Sequence, residues 1–193
     1  MGSPAERVPS FEELYQAIVA LPPGLTGEII EPGTIRTMGR PGAGHRIAAR
    51  GIAGSLGGDD AWDGGQGWWI EQEAEIRFGE RLLVPDLSGW RVSAEQALPP
   101  KFVFGNPIAE CPRWCCEILS PSTEVVDRER KLPLYASSGV EWIWLVDPEK
   151  RTLEVFRNDD GTPASFTLVE GNVARILEPF TSLIRTERWW IPE

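Results

Sequence analysis

The chain has 193 residues, which suits one domain over 1–193 with a core large enough to need no disulfide or metal staple. Charged residues at 25% and hydrophobic ones at 41% exclude a disordered tail, and no run approaches the roughly 20 apolar residues of a membrane span. The net charge of −10 argues against holding nucleic acid by bulk charge, yet is compatible with a local acidic metal site.

Ser10-Phe11-Glu12-Glu13 forms a capping-box pattern and opens a helix whose apolar face is Phe11, Leu14, Tyr15 and Ile18. Pro22-Pro23-Gly24 stops it, and a short strand at Glu28-Ile29-Ile30 leads to a turn at Pro32-Gly33. Residues 42–56 read as a second helix with His45, Ala48, Ala49, Ile52 and Leu56 on one face. A glycine- and aspartate-rich loop over 57–67 follows. The alternation from Trp68 to Phe78 predicts one half-buried strand, with 81–87 as its partner across Gly79-Glu80. Residues 93–112 read mostly as loop.

Residues 113–119 form the next predicted strand, with Trp114, Cys116 and Ile118 on one face and Cys115, Glu117 and Leu119 on the other. Ser120-Pro121-Ser122-Thr123 opens a charged helix through about Ser138, which Pro133 kinks or restarts and Gly139 ends. The apolar run 141–147 predicts a central strand. Residues 152–157 and 165–169 form a hairpin around Asn158-Asp159-Asp160-Gly161, and 173–177 adds a strand. This order predicts an α+β (α/β-like) fold with a mixed sheet. The N-terminus has no basic patch followed by an apolar stretch, so a cytoplasmic location is expected.

Two carboxylates occupy places where charge is costly. Asp86 ends the apolar stretch Leu83-Val84-Pro85-Asp86, and Glu117 lies late in an apolar strand. Buried charge is tolerated when paired or metal-bound, and two strand-borne carboxylates suit Mg²⁺, with Mn²⁺ as its substitute. Lys131 follows Asp127 by one helical turn, and Tyr135 follows by another. Because this helix starts directly after the Glu117 strand, it can fold back over that strand's end. A lysine there can hold or polarise an attacking water; the alternative is an ordinary surface ion pair with Asp127. Cys111, Cys115 and Cys116 cannot pair completely and, with a single histidine in the chain, lack the usual zinc partners, so they read as small apolar residues near a buried strand.

The block Val84-Pro85-Asp86-Leu87, Cys116-Glu117-Ile118-Leu119-Ser120-Pro121-Ser122-Thr123, Asp127, Lys131, Tyr135 and 139–148 resembles the Uma-two family of the PD-(D/E)XK, restriction-endonuclease-like superfamily. Leu21-Pro22, 27–30 and His45 resemble its N-terminal pattern more loosely. The resemblance implies a restriction-endonuclease-like mixed central sheet flanked by helices and a divalent-metal-dependent DNA endonuclease. It implies Asp86 as the motif aspartate, Glu117 as the second acid and Glu28 as an additional one. The superfamily's usual lysine position, two residues after the second acid, holds Leu119; the resemblance implies that Lys131 takes its place from the following helix.

The leading expectation is therefore Mg²⁺ on Asp86 and Glu117, Lys131 acting on the water or phosphate, and DNA phosphates on Arg36, Arg40, Arg46 and Arg50, which lie in a stretch free of acids over 32–51. The alternatives are a catalytically inactive nuclease-fold binding module and a hydrolase using Asp86 and Glu117 as a metal-independent acid–base pair. A two-fold homodimer is also expected, since double-strand cleavage needs two sites and the tryptophans, Trp189 and Trp190 among them, offer apolar surface.

Overall fold

The computed structural model describes residues 7–61, 66–93 and 107–191. Helix α1, Phe11–Val19, begins at the Ser10 cap with both capping-box bonds made and buries Phe11, Leu14 and Ile18. Strand β1, Thr26–Glu28, pairs antiparallel with β2, Arg36–Met38, a strand the alternation pattern does not announce. The expected strand at 28–30 is thus shifted: Ile29 leaves the ladder and bridges Leu82 instead. Helix α2, Ala43–Ser55, occupies the expected stretch and buries Ala48 and Ile52.

The single strand expected over 68–78 is two. β3, Gly67–Gln72, ends where Glu73 takes a left-handed backbone with φ of 52°, and β4, Ile76–Phe78, turns into a hairpin with β5, Arg81–Leu83. The partner of β3 is instead β6, Leu87–Val92, which the expected 81–87 strand only meets at its last residue. Most of the expected 93–112 loop and residues 62–65 of the glycine-rich loop lie outside the described residues.

β7, Trp114–Ile118, is buried throughout, and so is β8, Trp142–Asp147, which runs parallel to it. Helix α3, residues 124–137, makes the connection. Its middle, Asp127–Lys131, is a π-helical turn in which the Leu132 N–H donates to the Asp127 carbonyl. Pro133 lacks an N–H and its ring would press on the preceding turn, so the disturbance expected from it takes the form of a widened turn just upstream. β9, Thr152–Asp159, and β10, Thr162–Glu170, form the expected hairpin with longer arms, closed by Asp160 and Gly161, both at positive φ. β11, Ala174–Ile176, pairs with β12, Leu183–Arg185.

The central sheet has six strands in the order β10-β9-β8-β7-β6-β3, mixed because only β7 and β8 are parallel. The fold is α+β, as expected. The alternation of β7 decides its two sides. Trp114, Cys116 and Ile118 join a core with α2 and the C-terminal segment, while Cys115 and Leu119 pack with Leu132, Tyr135 and Ala136 of α3. Cys115 and Cys116 are therefore buried core residues, whereas Cys111 is exposed. Trp189 and Trp190, expected to offer surface, are buried: Trp189 packs against Trp144, and Phe180 sits among Trp68, Trp114 and Trp144 at centroid distances of 4.9–5.3 Å. Among the described residues no helix is long and apolar enough to cross a membrane.

Candidate active site

Asp86 lies between β5 and β6, one step before the ladder pair Leu87–Cys116, so the antiparallel register sets it opposite Glu117. Its Oδ2 accepts the Ile118 N–H at 2.6 Å, tying the carboxylate to the strand that carries Glu117. Its Oδ1 is 2.7 Å from Nε2 of His45, on the first turn of α2. Glu117 sits on the α3 side of β7, where the Tyr135 hydroxyl donates to its Oε1.

Lys131 is 2% exposed, so it is not an ordinary surface ion-pair lysine. Its Nζ lies 2.8 Å from Glu28 Oε1, 2.8 Å from Glu117 Oε1 and 3.7 Å from Asp127 Oδ1. Leu119, at the superfamily's usual lysine position, is buried among apolar neighbours, while the ammonium from α3 reaches the second acid directly. The π turn serves this arrangement: Asp127 opens it, Lys131 closes it, and both side chains point inward. Glu28, at the end of β1, is fully buried. Its Oε1 also accepts the Val84 N–H at 2.9 Å, while its Oε2 has no hydrogen bond and lies 3.6 Å from the Arg36 guanidinium.

Three carboxylates, Glu28, Glu117 and Asp127, thus surround one ammonium, with Asp86 on the neighbouring strand position to Glu117, and their protonation follows. Burial pushes the Glu117 carboxyl well above the usual range, and Asp127, Asp86 and Glu28 push the same way against Lys131. Burial likewise raises Asp127. For Lys131, burial favours the neutral amine, but Glu117, Glu28 and Asp127 outweigh it and hold the group above the ordinary lysine range, as a cation. Burial lowers His45, yet the bond and charge of Asp86, with Glu73 and Asp127, leave it raised.

These groups form the floor of a cleft of about 840 Å³, lined by His45, Asp86, Glu117, Asp127 and Lys131 and by both Arg36 and Arg40. A cleft of this size takes a substrate rather than a lone ion. The four arginines grouped in the sequence separate here. Arg46 is exposed and donates to the Pro41 carbonyl, and Arg50 lines a different depression; neither lines the cleft, because Arg46 leaves α2 about 100° round from His45 and Arg50 lies more than a turn further along. Sequence reasoning missed His45 as the partner of Asp86 and Tyr135 as the donor to Glu117. The available signal was spacing: Asp127, Lys131 and Tyr135 recur every four residues, and His45 opens the buried face of α2. Among the described residues no group of three or more His, Cys, Asp or Glu is drawn together as a closed metal cage.

A mixed six-stranded sheet flanked by helices defines a class of fold, and a solved structure shares that fold. "A putative nuclease belonging to DUF820 from Anabaena variabilis ATCC 29413" superimposes with a TM-score of 0.69 at 19% identity, over 93% of this chain and 97% of that one, a likeness of fold. Residues 11–186 match the Uma2 family, described as "Putative restriction endonuclease", and the chain belongs to that family. No curated protein matches the sequence.

Proposed function

We propose that this protein is a divalent-metal-dependent endonuclease that hydrolyses DNA phosphodiester bonds in the cleft above Asp86 and Glu117. The observation that carries the reading is the buried Lys131 ammonium, held 2.8 Å from Glu28 and from Glu117 at the floor of a cleft whose wall carries Arg36 and Arg40. An ordinary structural ion pair needs one acid; three acids around one lysine, with Asp86 opposite Glu117, form an acidic cluster that a cation would offset.

The donor set fits Mg²⁺, with Mn²⁺ as substitute: it is all oxygen, it offers Asp86 and Glu117 from facing strand positions, and Glu28 Oε2 is a buried acceptor without a hydrogen bond. The lack of a closed cage suits an ion that keeps waters and substrate phosphate among its ligands. A bound divalent cation supplies Lewis-acid charge at the phosphate and makes water more acidic. Asp86 is oriented for this by Ile118 and His45, and Glu117 by Tyr135 and Lys131. Lys131, kept cationic, offsets charge that builds on the phosphate oxygens and does not take up a proton. Arg36 and Arg40 hold the flanking phosphates.

The test is calorimetry with Mn²⁺ followed by DNA cleavage. Wild-type protein should bind Mn²⁺, Glu117→Gln should abolish that binding, and cleavage should stop in chelator. Cleavage that survives the chelator would favour the metal-independent acid–base hydrolase; metal binding without cleavage of any DNA would favour the inactive binding module. We also propose action as a two-fold dimer and a cytoplasmic location. The sheet edge supports the dimer: β10 is an outer strand and exposes Phe166 and Leu168.

A further inference from the structure

A second basic surface lies at the far end of α2. Arg50, with Arg185 and Arg188 from the C-terminal segment, lines a depression that also holds Ile47 and Leu183 and a single acid, Glu187. All three guanidinium groups are exposed, and none forms an ion pair among the described residues. Arg7, Arg36, Arg77, Arg128 and Arg130, by contrast, each have a carboxylate partner. Three arginines against the single Glu187 leave the depression net positive, so the patch favours an anionic ligand.

The convergence is built in by packing. A Cβ at Gly51 would overlap the Arg188 carbonyl oxygen, so the missing side chain lets the C-terminal turn lie directly on α2. Ser55 donates to the Arg185 carbonyl at 3.2 Å and accepts the Trp189 indole N–H at 3.0 Å. The same helix reaches the cleft, since Ala43, Gly44 and His45 line it. From His45 to Gly54 the helix rises about 14 Å, roughly four base steps of a nucleic-acid strand.

We infer that the substrate's sugar–phosphate backbone runs on from the cleft along α2 and that Arg50, Arg185 and Arg188 bind its phosphates in this depression. The inference rests on the nuclease reading and extends it to a substrate longer than the cleft. Arg46, exposed on α2 between the two sites, lies along the same path.

The experiment is fluorescence anisotropy with the full chain, in chelator so that nothing is cut, on duplexes of about 6 and about 20 base pairs across roughly 50–200 mM salt. On the longer duplex the Arg185→Ala/Arg188→Ala variant should bind about 10–100-fold more weakly at low salt, with a log–log salt slope shallower by about 2. On the shorter duplex, which spans little more than the distance between the two sites, the loss should be clearly smaller. Equal affinities and slopes on the longer duplex would overturn the inference. If Arg36→Ala/Arg40→Ala then still loses binding, the nuclease reading stands alone; if wild-type protein binds neither duplex, both fall.

Discussion

Lys131 is the side chain on which most of the site's electrostatics depends. Removing a single partner from a buried ionic cluster leaves uncompensated charge, a loss of about 3–5 kcal/mol. Lys131→Met should therefore lower stability by about that amount near neutral pH, against under ~0.5 kcal/mol for a surface pair. The pH dependence has a definite sign. In wild-type protein the lysine is raised, so its contribution is complete at neutral pH and is lost only as pH rises beyond the ordinary lysine range. In the variant, Glu117 and Asp127, already raised, bind protons more tightly folded than unfolded, so its deficit should shrink as pH falls. Thermal melts followed by circular dichroism at several pH values measure this; a deficit that grows on acidification would contradict it. Lys131→Arg should keep the charge yet fail in cleavage, because a planar guanidinium cannot fit the space that a compact ammonium shares with Glu28 and Glu117.

Single elements carry their own tests. β8 is buried along its whole length, and Trp144 is fully enclosed, with its indole N–H donating to the Glu178 carbonyl at 2.9 Å. Trp144→Ala should cost roughly 3–5 kcal/mol in chemical denaturation. Helix α2 touches the C-terminal turn through Gly51, where the helix could otherwise accept any good helix former. Gly51→Ala, which raises helix propensity by up to about 1 kcal/mol, should nonetheless destabilise by about 1–3 kcal/mol because its methyl group overlaps the Arg188 carbonyl. A melting temperature that rises in this variant would show that the turn yields instead. α3 was legible as a helix with a fault near Pro133, from one residue's chemistry. That the fault is a π turn directing Asp127 and Lys131 inward depends on what the helix packs against.

For the whole molecule, assembly is the open consequence of the sheet. Trp189 and Trp190 belong to the interior, so the proposed dimer is assigned to the β10 edge, where Phe166 is 46% and Leu168 59% exposed. Sedimentation velocity across a wide concentration range should show a dimer that Phe166→Lys/Leu168→Lys returns to monomer; a concentration-independent monomer would reject it.

The sequence by itself determined those features whose cause is local. The capping box starts α1, the two-residue alternation of 113–119 assigns every side chain of β7 to a face, the apolar run 141–147 is the buried β8, and Asp86, Glu117 and Lys131 stand out through residue type and spacing. Only the tertiary structure decided features whose cause lies far along the chain. Glu73 breaks the 68–78 alternation through a left-handed backbone that no propensity marks, because β3 must pair with β6 while β4 pairs with β5. Glu28 meets Lys131, His45 meets Asp86, and Arg50 meets Arg188's turn only when separate elements pack together. Periodicity records which face of an element is buried; it carries no information about which distant element covers that face.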